Sequence, residues 1–216
     1  LGFRMAVIDA EQSQDRIKQA IAKGRVQALV PIDELNASTV DASERIVAMM
    51  GVEPLQAALD TGVDVVLAGR CSDAAIYASM PIAKGIDAGL AWHMGKIIEC
   101  AGQVVEPRVG QDCVIGTLNK DNFVIEPGHA DKRCTRMKMA AHTLYETPSP
   151  YELKEPGGIL HTRDCTYDQL DDRSVRVSGS RFDPHSPYTV KLEGVSALGF
   201  RTVFVAGVRD PDLVEG

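Results

Sequence analysis

Short apolar runs alternate with amphipathic segments along the first half of the chain. Residues 5–8 form the first apolar run, and Ile17, Ala20 and Ile21 then recur at the spacing of a helical face. A second apolar run covers residues 26–30. This order predicts a strand, a helix and a strand, which favours a parallel pair because the helix crosses over the sheet between them.

Residues 63–68 give the clearest strand signal, because β-branched and other apolar residues follow one another almost without interruption. Runs of this kind are typical of a central parallel strand that is covered on both faces. The spacing of apolar residues also predicts helices over residues 41–50, 54–61 and 86–101. The fold class predicted for this half is α/β, with a mostly parallel sheet and flanking helices.

The pattern changes near residue 105, where the apolar runs become short and β-like. These runs lie at residues 113–118, 123–125, 175–177, 188–192 and 202–205. One helix, predicted over residues 136–146, interrupts them with an apolar stripe of Met137, Ala140, Ala141 and Leu144. We expect an α/β region at 1–105 and a β-richer mixed region at 106–216, either as two units or as one continuous domain.

The composition excludes several classes of protein. The chain has 216 residues, a formal net charge of −7 and five cysteines. An acidic balance argues against a nucleic-acid-binding protein, which needs a basic face. No apolar run approaches the roughly 20 residues of a membrane helix, so we expect no membrane partner. The cysteines are odd in number and widely spaced, which favours reduced thiols in a cytoplasmic protein over disulfides or structural zinc.

Motifs for cofactors and metals are missing from the sequence. It contains neither Gly-x-Gly-x-x-Gly nor a P-loop, and its five histidines form no His-x-x-x-His pair. We therefore expect no metal and no cofactor. The chain begins at Leu1 rather than at a methionine, so we expect it to be a fragment of a longer protein.

The turn after residues 63–68 is the first candidate site, because ligands of open α/β sheets bind beyond the carboxyl ends of the strands. Gly69 permits a sharp turn, and the planar guanidinium group of Arg70 is able to hold a carboxylate or phosphate by two parallel hydrogen bonds. Ser72 and Asp73 are able to bond a ligand hydroxyl, and Asp73 is also an acid–base candidate. The alternative is a capped loop with a structural pair of Arg70 and Asp73.

A second candidate lies on the helix predicted at residues 136–146. Lys138, His142 and Glu146 follow one another at intervals of four residues, so this helix places them on one face. A histidine between a lysine and a glutamate is able to transfer protons, which makes His142 a catalytic candidate. A solvated face with helical ion pairs is the more ordinary interpretation.

Two glycine-containing turns add further ligand-binding candidates. Gly157 and Gly158 follow a proline, so their amide groups either point at an anion or only close a tight turn. Arg209 and Asp210 follow an apolar run and a glycine, which repeats the order of residues around the first candidate site.

The segment around residues 180–193 contains the last candidates. Ser180 and Arg181 follow a glycine, and Lys191 and Glu193 share one face of an alternating strand pattern. We predict that Arg181 and Arg70 converge on one pocket for an anionic group, with Glu193 as an acid–base candidate. The alternative is that each arginine pairs with a nearby aspartate and faces solvent.

Several short motifs of the chain occur in an order that is typical of one bacterial family. The first are GVDVVLAGR at 62–70, followed by Ser72 and Asp73, and IECAG at 98–102. AHTLYE, PYEL and EPGG follow within residues 141–158. The last are VSGSRF and YTVKLEG within residues 177–194, and RTV and RDP within residues 201–211. With these motifs the chain resembles the acyclic terpene utilisation (AtuA) family over roughly residues 50–212.

The resemblance implies a role in the catabolism of branched isoprenoid or related acyl compounds, including coenzyme A thioesters. Our first hypothesis is an enzyme or enzyme component that acts on an anionic acyl metabolite. Arg70 and Arg181 would bind the anion, and Asp73, His142 or Glu193 would transfer protons. The second hypothesis is a non-catalytic binding or assembly subunit, and a homo-oligomer is compatible with either.

Overall fold

Helices and short strands alternate in the computed structural model, which describes residues 2–29, 31, 35–108 and 112–215. The helices are α1 (Gln14–Ala22), α2 (Ala37–Asp41), α3 (Val52–Asp60), α4 (Asp73–Ala83), α5 (Ala88–Glu99), α6 (Arg136–His142) and α7 (Pro211–Val214). The strands are β1 (Met5–Ile8), β2 (Arg45–Ala48), β3 (Val65–Ala68), β4 (Val105–Glu106), β5 (Val114–Leu118), β6 (Asn122–Pro127), β7 (Arg133–Cys134), β8 (Glu152–Glu155), β9 (Gly158–His161), β10 (Thr166–Gln169), β11 (Val175–Ser178), β12 (Arg181–Pro184) and β13 (Leu192–Val195).

A parallel pair of strands begins the fold, and it joins β1 to β3. Met5 lies opposite Val65, and the register continues to Ile8 opposite Ala68. A parallel pair does form in this half of the chain, but the prediction that residues 5–8 pair with residues 26–30 is wrong, because the partner of β1 is β3. Residues 26–29 have no regular structure, and Val30 lies outside the described residues.

Strand β2 occupies residues for which the sequence pattern predicts a helix. On one side it pairs antiparallel with β13, and on the other the amide of Ala48 donates to the carbonyl of Ala10 at 2.9 Å. The helix prediction for residues 41–50 is wrong because this long-range pairing outweighs the local spacing of apolar residues. The strands around β1 and β3 are therefore mixed in direction rather than mostly parallel.

Only one face of the β1–β3 pair packs against the core. Ile8, Val66 and Ala68 lie against buried side chains of α3, α4 and α5. Val7 and Leu67 point to the other side, where they are 72% and 58% exposed. The expectation that both faces of residues 63–68 are covered is therefore wrong for the chain as described.

Helices α4 and α5 pack closely because small residues face each other. Ala74, Ala75 and Ala78 of α4 are buried, and Gly95 of α5 lies against the backbone of Ala74. We did not predict α4 from the sequence, because its small residues form no clear apolar stripe and Pro81 lies in its last turn. The two helices together position the turn that follows β3.

We expect Gly95→Ala to lower the free energy of unfolding by about 1–3 kcal/mol through overpacking. A Cβ atom at this position would meet the carbonyl oxygen of Ala74 at 2.6 Å. Gly102→Ala is the matched control, since a Cβ atom there meets nothing within 4 Å. Urea denaturation measures both variants, and equal stability of the two would contradict the close packing.

The two larger antiparallel sheets in the second half of the chain pack against α5, and the β-richer pattern predicts strands in this half. Their strand orders are β10-β11-β6-β5 and β12-β9-β8. Phe123 and Val177 belong to the core of the first sheet, together with Ile97 of α5. Leu153 and Leu160 of the second sheet join the core of α3, α4 and α5.

The face of helix α6 that packs against the core is opposite to the predicted one. It ends at His142, which is buried, while Met137 and Leu144 are 75% and 67% exposed. Glu146 lies beyond the helix with a φ of 56°. The predicted apolar stripe is therefore wrong, and Lys138, His142 and Glu146 do not share one helical face.

The end of the described chain departs from the predicted strands. Residues 188–191 and 202–205 have no regular structure, and β13 lies between them. Because β13 pairs with β2, the two halves of the chain are connected, and the boundary near residue 105 stays a prediction. No helix within the described ranges has the length and apolar character needed to cross a membrane.

Candidate functional site

Several parts of the chain fix the turn at the carboxyl end of β3. Gly69 is needed there because a Cβ atom would meet Ala10 at 2.9 Å. The amide of Gly69 donates to the carbonyl of Ile8 at 2.8 Å, and Cys71 forms a parallel bridge with Met50. The turn therefore has a defined orientation relative to β1 and β2, and so do the polar side chains that follow it.

Arg70 belongs to a cluster of four charged side chains, and the other three are Asp73, Lys191 and Glu193. Its Nε and Nη2 atoms donate to the two carboxylate oxygens of Glu193 at 2.9 and 3.3 Å. Its Nη1 atom donates to the carbonyl of Cys71 at 2.7 Å and to Asp73 Oδ1 at 3.2 Å. Lys191 Nζ lies 2.7 Å from Glu193 Oε1. The structure thus brings together four residues that were singled out from the sequence.

These four charges balance one another. The hydrogen bond from Arg70, and then that from Lys191, lowers the pKa of Glu193. The bond to Glu193 in turn raises the pKa of Arg70. Glu193 is therefore ionised at neutral pH, which makes it an anchor for Arg70 and a poor proton donor.

A cleft of about 590 Å³ opens beside Arg70. Its apolar walls come from α3, β3 and α4 and include Leu55, Leu59, Val66, Leu67, Ile76 and Met80. Arg70 and Asp73 supply charged groups to the same lining. An apolar cleft with a few charged groups in one turn is suited to a hydrocarbon that has an acidic head.

Ser72 belongs to a second, more buried polar group between α4, α5 and β8. Its Oγ donates to Glu155 Oε2 at 2.6 Å. On α5, Lys96 Nζ lies 2.6 Å from Glu99 Oε1, and the thiol of Cys100 donates to Glu99 Oε2 at 2.8 Å. Burial raises the pKa of Glu155, although the hydrogen bond from Ser72 and the charge of Lys96 oppose this effect.

We expect Glu155→Gln to gain stability relative to the native chain as the pH rises. Burial raises the pKa of Glu155, so the folded state holds the proton more tightly than the unfolded state does. The native chain therefore loses stability as the pH rises from the ordinary glutamate pKa of 4.5 to the raised pKa. The glutamine variant lacks this loss.

Urea denaturation of both proteins at about pH 4 and about pH 8 measures this difference. The other carboxylates are common to both chains, so their titration cancels in the comparison. A difference in unfolding free energy that stays constant over this range would contradict the assignment of a raised pKa to Glu155.

Arg181 lies on the outer face of the β12-β9-β8 sheet. The next residue, Phe182, packs against the core on the inner face, so Arg181 points outward, where it pairs with Asp183. Arg70 lies in the turn that also contains Ser72, and Ser72 donates a hydrogen bond to Glu155 of β8 on the inner face of the same sheet. The structure does not bring the two arginines together, and each pairs with a carboxylate close to it.

The glycines after Pro156 form a closed turn. Gly157 has a φ of +82°, and its carbonyl accepts a hydrogen bond from the amide of His185 at 2.8 Å. A Cβ atom on Gly158 would meet the ring of Phe182 at 2.4 Å. The conformation and packing of this turn account for both glycines, which favours the plain turn over an anion site.

His142, Arg209 and Asp210 lie apart from the cleft lining. Burial lowers the pKa of His142 to about 4, so its imidazole is neutral at physiological pH. Asp210 accepts a hydrogen bond from the amide of Asp212 at 3.0 Å and caps α7. Arg209 is exposed. The structure therefore gives Asp210 a capping role and places His142 in the core.

Ser180 contacts a histidine that the sequence pattern did not single out. Its Oγ lies 2.8 Å from Nδ1 of His93. The thiol of Cys165 lies 3.7 Å from the same nitrogen and 3.6 Å from the serine oxygen. His93 is 2% exposed, and burial lowers its pKa to about 3, whereas Ser180 and Cys165 are half-buried.

Sequence reasoning missed several of these polar residues. Lys96 and Glu99 are three positions apart on a helix that was predicted, so their spacing was a usable signal. Glu155 lies directly before the glycine turn, but nothing local marks it as buried. The contact of His93 with Ser180 joins positions 87 apart, which no local pattern indicates.

The cysteines are free thiols, three of them half-buried or exposed and two of them buried. Within the described part of the chain, no three His, Cys, Asp or Glu side chains are grouped in a way that would hold a metal ion.

One protein family matches the chain almost from end to end. The profile described as "Acyclic terpene utilisation family protein AtuA" matches residues 1–215. This match is longer than the roughly 50–212 over which the motifs show a resemblance. Neither the curated proteins nor the solved structures include a match to the chain.

Proposed function

The chain belongs to the acyclic terpene utilisation family AtuA, and from this premise we propose that it is an enzyme or enzyme component that binds a terpenoid acyl compound beside Arg70. The compound class is an acyclic terpenoid acid, free or as a thioester with an acidic carrier. The observation that carries the proposal is an apolar cleft whose lining includes the Arg70 turn.

The cleft suits the hydrocarbon part of such a compound. Its volume of about 590 Å³ lies within the usual range of small-molecule sites, roughly 300–1,000 Å³. Leucine, isoleucine and methionine side chains form its walls, and these pack well against a branched aliphatic chain.

Arg70 supplies the site for the acidic group. Its planar guanidinium is able to hold a carboxylate by two parallel hydrogen bonds, as it already holds Glu193. A ligand must compete with Glu193 for this fork. Lys191 remains bonded to Glu193, so the carboxylate of Glu193 keeps a cationic partner when Arg70 turns to a ligand.

Among the three acid–base candidates from the sequence, Asp73 is the one that lines the cleft. We therefore assign the proton-transfer role to Asp73. Glu193 is held ionised by Arg70, and His142 is buried outside the lining. We also place the activity in the cytoplasm, because free thiols persist in a reducing compartment.

Calorimetric titration with dimethyloctanoic acid, a saturated ten-carbon branched acid, tests the proposal. We expect Ile76→Asp to weaken binding at least about tenfold, because it places a charge in the apolar wall of the cleft. Ile115→Asp on β5 is the matched control, since the two isoleucines are 56% and 52% exposed. Native affinity in both variants would show that the acid binds elsewhere or that its hydrocarbon does not use this wall.

A non-catalytic binding or assembly subunit is the second candidate function, and exposed apolar side chains after β13 favour it. Leu198, Phe200 and Phe204 are 98%, 107% and 87% exposed. Clusters of this kind often mark contacts with a partner, including a second copy of the same chain. Sedimentation of the native chain and of a Phe200→Ser, Phe204→Ser double variant tests this role. If the role is correct, the native chain associates and the double variant does not.

A further inference from the structure

Two connections between the antiparallel sheets meet over the first half of α5. One runs from β9 to β10 through residues 162–165, and the other runs from β11 to β12 through Gly179 and Ser180. A Cβ atom on Gly179, whose φ is +85°, would meet the carbonyl oxygen of Asp164 at 2.5 Å. A Cβ atom on Gly89 of α5 would meet the carbonyl oxygen of Ser180 at 2.6 Å. The junction therefore holds its side chains in a tightly packed frame.

Three side chains with chemical reactivity meet inside this junction. The hydroxyl of Ser180 and Nδ1 of His93 are 2.8 Å apart, and the thiol of Cys165 lies within 3.7 Å of both. A serine hydroxyl bonded to an imidazole nitrogen has the geometry of an activated nucleophile. We propose that Ser180 is a nucleophile, that His93 is its general base, and that this pair cleaves acyl esters or thioesters.

The surroundings of His93 fix the orientation of its ring and keep the imidazole neutral. Its ring lies edge-on to Phe123 and Tyr167, with centroid separations of 5.4 and 6.2 Å, so two aromatic rings hold its orientation. Burial, and then the charge of His142, lowers the pKa of His93 to about 3, which keeps the imidazole neutral but also makes it a weaker base than an exposed histidine. In the tautomer with the proton on Nε2, Nδ1 accepts the hydrogen bond of Ser180 and is able to receive its proton.

Geometry favours Ser180 over Cys165 as the nucleophile. The serine oxygen lies 2.8 Å from Nδ1, a short hydrogen bond, whereas the sulfur of Cys165 lies 3.7 Å from the same nitrogen, near the long end of the range for a thiol. Burial also raises the pKa of Cys165, so its thiol stays protonated, and the thiolate is the reactive form.

The reaction proceeds in two balanced steps. The Ser180 oxygen forms a bond to the acyl carbon while its proton passes to Nδ1 of His93. The bond from the acyl carbon to the leaving sulfur or oxygen breaks, and His93 returns the proton to that leaving group. A water molecule then attacks the acyl-serine, gives its proton to His93, and Ser180 recovers that proton as the acid leaves.

A fluorophosphonate probe tests the inference on the full chain, because it phosphonylates activated serines with loss of fluoride. Intact-mass spectrometry and peptide mapping are expected to show one adduct, located on Ser180. Ser180→Ala is expected to lower the labelling rate at least about 100-fold, whereas Ser186→Ala is expected to label like the native chain.

The role of His93 has its own test. His93→Gln is expected to slow labelling of Ser180 by about the same factor, provided that urea denaturation shows a folded variant. If this variant does not fold, the mapped adduct of the native chain decides the proposal. An unlabelled native chain, an adduct on another residue, or undiminished labelling of Ser180→Ala overturns it. Dimethyloctanoic acid binding at Arg70 is measured separately, so either proposal can fail without the other.

Discussion

Replacing Trp92 by alanine is expected to lower the free energy of unfolding by about 3–5 kcal/mol, the largest stability effect that we predict. Trp92 is 2% exposed, and its ring stacks on Phe182 with centroids 5.5 Å apart and planes inclined by 10°. Its side chain therefore joins α5 to β12, and its removal leaves a cavity between the helices and the second sheet.

Urea denaturation of the Trp92→Ala variant measures this loss. Phe200→Ala is the control for removal of an aromatic ring, because Phe200 is fully exposed and its ring supports no core. If the tryptophan variant is as stable as this control, the packing of α5 against β12 does not contribute to the fold as described.

Arg70→Ala is expected to weaken the binding of dimethyloctanoic acid by about 1.5–3 kcal/mol, which is roughly 10- to 150-fold in Kd. The guanidinium of Arg70 contributes to the lining of the apolar cleft and is fixed there by Glu193 and the carbonyl of Cys71. Truncation removes the charged donor while the apolar walls remain, so a weakened hydrophobic affinity is expected to persist.

Arg181→Ala is the matched control for this measurement. Arg181 also pairs with a carboxylate, that of Asp183, but it lies on the outer face of its sheet. We expect it to bind the acid like the native chain. Equal losses in the two variants would support a shared arginine pocket or a general electrostatic effect instead of a site at Arg70.

Local sequence patterns predicted two parts of the site: the turn after β3 and the shared face of Lys191 and Glu193. The apolar run of β3 followed by Gly69 and charged residues predicted a turn at a strand end, and the structure places Arg70 and Asp73 there. The alternation of Lys191 and Glu193 predicted a shared face, and these two side chains form an ion pair.

The other features of the site and of the fold depend on pairing between distant parts of the chain, which no local sequence pattern indicates. The bond between Arg70 and Glu193 joins positions 123 apart, and it depends on the pairing of β13 with β2. The same pairing makes residues 45–48 a strand although their spacing favours a helix. Likewise, the inward orientation of Phe182 sends Arg181 to the outer face and separates it from Arg70.

Calorimetric titration of the Glu193→Gln variant with dimethyloctanoic acid tests the central claim most directly. In the native chain, Glu193 occupies the Arg70 fork that the acid needs, and the glutamine is a weaker competitor because it has no charge. We therefore predict that Glu193→Gln binds the acid more tightly than the native chain, while Arg70→Ala binds it less tightly. Weaker binding in both variants would contradict the claim, because it would show that the Arg70–Glu193 pair only maintains the structure.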